Sequence, residues 1–487
     1  MNEKIRTVIT TDCEIDDMNS FVRLLLYSND LDIQAIVLTS SIFHYKGNDK
    51  KAPYRWTGET WPLEIIDSYA KDFDNLKLHD SNYPTPEYLK SIYFVGNISD
   101  VSEMEETSPG SEKIKDLILD NDERKLYLQV WGGTNTIARA LKSIEEEYSN
   151  SEEWSKIKHK IESKVVIYMI LDQDDTFKSY IQPNWKVQVI SDDMNFGYFA
   201  YGWKNLPSEI KKYFEAAWFQ KNILGKGELS KQYALIGDGK YLKGERETDQ
   251  YSALFWPDIH PEFTRYDFIS EGDSLAYLFL LQPNLAGIEA PTFGGWSGRY
   301  ALTQENHYTS EAVDYNPKTQ RFEQEYGFIR WLADIQADFA ARMNWTVATS
   351  YESANHYPVI QIEKNKIQAR RGEMFKIHAD VEDRNNLHLK FKWWCYYETS
   401  TYWNFKEIAL EKEYFEFGDK KFPFSNHSEF VKKDWQLEMY DEDTDTVKIQ
   451  IPEDAKKGET IHLIFEASNI YPTPLKSYQR TIITILE

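Results

Sequence analysis

Four short β-rich runs in this chain lack the polar alternation of a half-exposed strand, and that pattern sets the fold class. They are Ile5–Thr10, Ile33–Thr39, Lys125–Val130 and Val165–Leu171. A strand without a polar face is covered on both sides, as in a parallel sheet flanked by helices. Helical spacing follows two of these runs: Met18, Phe21, Val22, Leu25 and Leu26 after the first, and Ile137-Ala-Arg-Ala-Leu141 after the third. The expected architecture is therefore α/β, a mostly parallel sheet with helices on both faces.

Open sheets of this kind bind ligands at the carboxyl ends of their strands. Polar or glycine-rich turns stand at that end of each run: Asp12–Asp17, Ser40–Ser41, Gly132–Asn135 and Asp172–Asp175. These turns are expected to converge on one crevice.

After about Tyr351 the pattern changes to short alternating strands, as in Phe375–Ala379, Leu389–Trp394, Val447–Ile451 and Thr460–Ala467. This predicts an all-β, immunoglobulin-like sandwich. The expected domains are residues 1–352 and 356–487, with Asn355-His-Tyr-Pro358 as linker because the residue before a proline favours extended backbone. Trp393, Trp394, Tyr396, Tyr397, Tyr402 and Trp403 read as a carbohydrate platform or as sandwich core; alternation along a strand favours the core.

A net charge of −23 with no basic stripe argues against nucleic acid as a partner, since that affinity rests on Lys and Arg displacing counterions. The same charge suits a neutral sugar, a cation, or solubility alone. Two distant cysteines, Cys13 and Cys395, exclude a disulfide framework. Cys13 stands among acids that would suppress its thiolate, so it reads as a packing residue. No apolar run reaches the length of a membrane helix, so no membrane partner is expected. The first residues run directly into a strand, which fits a cytoplasmic chain, or a periplasmic or secreted one whose leader has been removed. The sequence leaves a homo-oligomer open.

Thr10-Thr-Asp-Cys-Glu-Ile-Asp-Asp17 places four carboxylates within six residues, between a strand and a helix. Like charges this close raise one another's pKa unless a cation neutralises them, and a helix N-terminus relieves only part of the cost. Oxygen ligands of this type favour calcium or magnesium over zinc. Helix capping by Asp16 and Asp17, with Glu14 facing solvent, explains the segment equally well when it is taken alone. A distant carboxylate, Asp273 in Glu271-Gly-Asp-Ser-Leu275, stands before another apolar helical run and reads as a third ligand or as a cap.

Asp12-x-x-x-Asp16-Asp17 after the first strand resembles the calcium-binding signature of the nucleoside hydrolases. Gly132-Gly-Thr-Asn-Thr-Ile-Ala138 is similar to that family's glycine-rich strand-to-helix turn, and Asp273 to its late calcium-binding aspartate. A closer resemblance is to the bacterial nucleoside hydrolase-like family once described as cellulose-binding, in which an immunoglobulin-like domain follows. The segments that carry it are Trp131-Gly-Gly-Thr-Asn135, Asp172-Gln-Asp-Asp175, Ser270-Glu-Gly-Asp273 and Gly294-Gly-Trp-Ser-Gly-Arg-Tyr300. Phe391-Lys-Trp-Trp394 and the stretch from Gly458 to Arg480 fit as well.

The resemblance implies a calcium ion (Ca2+) held by Asp12, Asp17, Asp273 and a backbone carbonyl, that of Asn135. It implies that Asp12 also activates the attacking water and that Asp16 binds sugar hydroxyls. The implied activity is hydrolysis of an N- or O-glycosidic bond to a ribose-like or other furanosyl unit, the partner being a small sugar or glycoside. Gln173, Asp174, Trp296 and Arg299 are expected near substrate, because Gly294, Gly295 and Gly298 let backbone approach a ligand and Trp296 suits stacking on a sugar face. His44, His260, Asp174 and Asp175 are the candidates for a leaving-group acid.

Thr10 and Gly272 stand where the nucleoside hydrolases carry an acid and a histidine, and the Asn/Glu-rich sugar-binding segment is replaced by Asp172–Asp175. These departures point away from nucleosides and toward another leaving group. The competing reading is a non-catalytic carbohydrate-binding protein that has kept the metal site; Asp12 weighs for catalysis, since binding alone needs no water-activating base. An aspartyl phosphatase is disfavoured because Asp12-Cys-Glu lacks the Asp-x-Asp pair.

Overall fold

The computed structural model describes residues 3–253, 263–403, 405, 410–417, 420–429 and 436–486. They fall into two compact units. The first comprises residues 1–280, 302–309 and 342–350, and the second 281–301, 310–341 and 351–487. Residues 281–301 and 310–341, which precede residue 352, thus cluster with the C-terminal strands.

The first unit is built on an eight-stranded sheet of β1 (Ile5–Thr11), β2 (Leu31–Leu38), β3 (Tyr93–Val95), β4 (Leu126–Val130), β5 (Val165–Ile170), β6 (Gln188–Asp192), β7 (Ala301–Gln304) and β8 (His307–Thr309). Their order is β3-β2-β1-β4-β5-β6-β8-β7, and every pair from β3 through β8 is parallel. The four strands anticipated from sequence are β1, β2, β4 and β5, and their side chains are buried on both faces except at a few strand-start positions. One core cluster joins Val8, Val37, Leu128 and Ile167 from the strands to Ile137, Leu141 and Ile144 of the helix Asn135–Tyr148.

Three helices begin at the acidic and glycine-rich turns: α1 (Ile15–Leu26), α2 (Asn135–Tyr148) and α3 (Ser274–Leu278). The apolar stripe of α1, through Phe21, Val22 and Leu25, is fully buried. Strand order reverses at β1, which has β2 on one side and β4 on the other. The crevice is expected at the carboxyl edge beside β1, where doubly wound sheets place their ligands.

Among the described residues the second unit contains twelve strands: β9 (Asp314–Asn316), β10 (Arg321–Glu323), β11 (Val359–Ile362), β12 (Lys366–Ala369), β13 (Met374–Glu382), β14 (Leu389–Cys395), β15 (Leu410–Phe417), β16 (Lys420–Ser428), β17 (Glu438–Tyr440), β18 (Thr446–Gln450), β19 (Thr460–Asn469) and β20 (Lys476–Ile485). Two sheets, β11-β13-β18-β17 and β12-β20-β19-β14, form the immunoglobulin-like sandwich; a third, β15-β16-β10-β9, is separate. Ile377, Val447 and Ile449 of one sheet meet Trp393, Leu463, Phe465 and Ile483 of the other in a common core. Alternation sends Trp393 fully inside and leaves Trp394 half-buried, while Tyr397, Tyr402 and Trp403 pack against the core. Asn355 and His356, expected in a linker, are buried: Asn355 Nδ2 donates to Asn469 Oδ1 at 3.0 Å, and the His356 ring stacks on Tyr351 at 3.7 Å. No described helix is long and apolar enough to cross a membrane.

Candidate active site

Strand β1 ends at Thr11 and α1 begins at Ile15, so Asp12, Glu14, Asp16 and Asp17 are compressed into one turn at the crevice. Asp17 folds back beneath the strand end. Its Oδ1 accepts from Thr11 Oγ1 and from the Asp12 main-chain N–H at 3.2 Å. Asp12 is held by other donors, the Glu14 N–H at 3.0 Å on Oδ1 and the Ser41 hydroxyl at 2.6 Å on Oδ2.

From far along the chain, Asp273 enters at the start of α3. One oxygen from each of Asp16, Asp17 and Asp273 lies within 4.8 Å of the others. Asp17 and Asp273 are both only 2% exposed, and Asp273 Oδ2 has no hydrogen-bond donor among the described residues. Burial, followed by the charges of neighbouring acids, holds all three carboxyls well above the usual range. Such a cluster is stable as carboxylates only around a positive charge, and hard oxygen donors from three side chains, with Asp273 Oδ2 unpartnered among the described residues, fit a divalent cation of the calcium type.

His44 supplies positive charge on another side. Its Nδ1 is 3.7 Å from both Asp12 Oδ2 and Glu14 Oε2, and its Nε2 is 3.1 Å from Glu245 Oε2. Burial alone would favour the neutral ring, but Asp12, Glu245 and Glu14 together lift its pKa to about 10. Arg55 forks onto Glu245 from Nε at 2.6 Å and Nη2 at 3.0 Å. Burial also opposes ionisation of Asp12, yet His44 and the Ser41 hydroxyl outweigh it and hold that carboxyl below its ordinary value. At the crevice mouth, Tyr201 is 40% exposed and donates to Glu14 Oε1 at 2.9 Å.

The turn after β4 closes against the cluster. A Cβ on Gly132 would stand 3.1 Å from the Asp12 Cβ, so glycine lets the two loops approach this closely without displacing Asp12. Asn135 opens α2. Its side-chain amide donates to Ser40 Oγ and the carbonyls of Asn97 and Glu103, and its main-chain carbonyl lies in the first helical turn, where the N–H four residues on is its partner. Asp174 is spent on the same turn: its carboxylate accepts from Asn135 N at 2.8 Å, Thr134 Oγ1 at 3.1 Å, and Thr176 N and Oγ1 at 3.0 and 2.8 Å. Gln173 Nε2 donates to the carbonyls of Trp131 and Ile170. Asp175 is exposed with a φ of 63°.

Trp296 and Arg299 belong to the second unit. Trp296 is 1% exposed, and Arg299 donates to Asp314 Oδ1 at 2.6 Å and to the Val313 carbonyl at 2.5 Å. A buried indole and a guanidinium occupied by a buried carboxylate are structural parts of that unit, so their contacts lend no support to a place beside substrate. His260 lies outside the described residues. Cys13 is buried, and burial and Asp12 push its thiol up, away from any thiolate role.

Sequence reasoning does not find Glu245, Arg55 or Tyr201, and it offers His44 only as one candidate leaving-group acid. Their spacing carries no motif, because each reaches the crevice from a separate loop. Ser41 stands out in the sequence only as part of a strand-end turn.

Comparison with known proteins agrees with this geometry at the level of family and fold. The model of the cellulose-binding Sde182, nucleoside hydrolase-like domain matches residues 6–300, and that of the cellulose-binding protein Sde0182, C-terminal domain, matches residues 374–485. No curated protein matches the sequence. Among solved structures, a nucleoside hydrolase-related hypothetical protein from Saccharophagus degradans, associated with carbohydrate metabolism, has a TM-score of 0.70 at 21% identity, covering 99% of this chain and 100% of its own. The PapD-like domain of human CEP192 aligns over 26% of this chain and 85% of its own at 8% identity, but its TM-score of 0.15 carries no weight. With more than half of its length matched by one family model, the chain belongs to the Sde182 family of cellulose-binding proteins with a nucleoside hydrolase-like domain.

Proposed function

We propose that this protein is a calcium-dependent glycoside hydrolase that cleaves the N- or O-glycosidic bond of a ribose-like or other furanosyl unit. The observation that carries the reading is the meeting of half-buried Asp16 with buried Asp17 and Asp273, with an orphaned oxygen on Asp273 among the described residues. Asp17 and Asp273 would hold the ion, with Asp12 adjoining them and Asp16 free to take sugar hydroxyls at the half-buried edge. Bound calcium would orient a water and the sugar hydroxyls.

Asp12 is suited to removing a proton from that water, because Ser41 and the Glu14 N–H fix its carboxylate and its low pKa keeps it ionised. The surrounding acids favour positive charge developing at the anomeric carbon. One carboxylate acting as base, without a nucleophilic partner, gives inversion of configuration.

A second reading keeps its place because the family is described as cellulose-binding. Under it the crevice binds a carbohydrate and does not cleave it.

The discriminating experiment is a screen of p-nitrophenyl furanosides and nucleosides, each with and without a chelator. Turnover that disappears both on chelation and in Asp12→Asn supports the hydrolase. Binding of a saccharide with no turnover of any compound supports the alternative, and full activity after exhaustive chelation removes the ion from the mechanism.

A further inference from the structure

One stripe of α1 carries more than Asp16. Positions 16, 19, 20 and 23 share a face of the helix, since residues three, four and seven apart lie above one another. Asn19, Ser20 and Arg23 are polar and yet fully buried. All three are spent on the chain that bears Asp273. Asn19 Nδ2 donates to the Ser270 carbonyl at 3.1 Å and to the Ala234 carbonyl at 3.0 Å, while its Oδ1 accepts from Ala234 N at 2.7 Å. Ser20 Oγ lies 3.2 Å from Ser274 Oγ.

Arg23 meets Glu271 in a salt bridge with Nε 2.5 Å from Oε2, and Nη2 donates to Oε1 at 3.1 Å. Neither side chain has any exposure. The remaining capacity of Glu271 is filled by the Tyr233 hydroxyl on Oε1 and by Ser274 Oγ at 3.0 Å on Oε2. Asp273 is thus bracketed, with Ser270 and Glu271 pinned on one side and Ser274 on the other, by the same helix that presents Asp16 and Asp17. Between the brackets stands Gly272, where a Cβ would come 3.4 Å from Asp16 Oδ2 and 3.1 Å from the Phe196 ring.

We infer that Arg23 and Glu271 are a positioning pair whose function is to set the spacing of Asp273 from Asp16 and Asp17, and thereby the affinity of that site for a divalent cation. The inference rests on the proposed reading of Asp17 and Asp273 as cation ligands, with Asp16 beside them. Neither residue touches substrate or ion; both act through the main chain of residues 270–274 and the axis of α1. A buried pair replaced by apolar residues of similar volume generally leaves a fold intact, whereas removing one partner strands a charge. The double replacement therefore separates positioning from mere stability.

The experiment is isothermal titration of the full chain with calcium chloride, alongside circular-dichroism melting, for wild type, R23M/E271M and Glu271→Asp. The expected result is native-like melting of R23M/E271M in chelator, with calcium affinity weakened tenfold or more. Glu271→Asp, which keeps the charge facing Arg23 but shortens its reach, is expected to weaken binding by about threefold and guards against a misfolded double variant. Wild-type affinity in both variants would overturn the inference while leaving the cation site standing. Absence of calcium binding by the wild type would overturn the cation reading, and the inference with it.

Discussion

Asp17 and Asp273 present carboxylate oxygens within 4.8 Å of each other at a point where both side chains are only 2% exposed. Burial first, and then the charges of Asp12, Asp273 and Asp16 on Asp17 and of Asp16, Asp12 and Glu14 on Asp273, raises both carboxyls well above the ordinary range. Two opposite effects follow from one substitution. Asp273→Asn removes a like charge from an ion-free cluster, so in chelator its melting temperature should equal or exceed that of wild type. The same variant should lose the rise in melting temperature that calcium gives wild type, because ligand binding stabilises only the state that binds. A calcium-dependent rise in Asp273→Asn equal to that of wild type would exclude this carboxylate as a ligand.

Asp174 anchors the glycine turn after β4 through two hydrogen bonds and its own loop through two more, and Gly133 packs directly on it. A Cβ at Gly133 would strike the Ser40 carbonyl and lie 2.5 Å from Asp174 Oδ2. Gly133→Ala is therefore expected to force the turn open. Asp174→Ala should be destabilised by about 2–4 kcal/mol in chemical denaturation, since hydrogen bonds to a charged acceptor are worth roughly 1.5–3 kcal/mol and several buried donors are left unpaired. Less than about 1 kcal/mol would mean that the turn is held by its other contacts.

Much of the fold is readable in the sequence for a simple reason. Strands such as Val165–Ile170 are buried on both faces, so their composition reports their environment directly, and the alternation of Met374–Glu382 does the same for a half-buried strand. The acidic turn is readable because its four carboxylates are neighbours in sequence. The other parts of the crevice are not. Glu245 and Arg55 come from loops whose course is set by tertiary contacts, and His44 looks like any loop histidine until its carboxylate neighbours are seen. Asp174 is expected near substrate from its motif, while the hydrogen bonds it makes to the start of α2 and to its own loop are not legible in the sequence. The glycine-rich stretch holding Trp296 and Arg299 reads as a ligand loop, although Arg299 is drawn to Asp314.

Trp393 is fully buried between the two sheets of the sandwich, with its ring 4.5 Å from that of Phe465 and its indole N–H donating to the Thr444 carbonyl at 3.0 Å. Trp393→Ala should cost about 3–5 kcal/mol, the range for emptying a core aromatic site. The loss should appear in the denaturation of the sandwich. A cost under about 1 kcal/mol, with carbohydrate binding lost instead, would make this tryptophan part of a binding platform.

Arg480 and His462 give the sandwich a pH dependence of definite sign. The Arg480 guanidinium donates from Nη1 to His462 Nδ1 at 3.1 Å, and the imidazole lies 4.7 Å from the Phe293 ring. Burial, and then the Arg480 charge, pushes the His462 pKa down to about 3. In the unfolded chain the same ring titrates near 6.5. Below that value the unfolded state takes up a proton that the folded state refuses, so stability present above pH 6.5 is lost as pH falls toward about 3. The steepest loss is about 1.4 kcal/mol per pH unit. Carboxylate titration is common to both proteins, so between pH 7 and 5 the denaturant midpoint of wild type should fall relative to that of His462→Gln, whose amide oxygen can accept from Arg480 without titrating. Parallel curves for the two proteins across that window would show that His462 is not held neutral by Arg480.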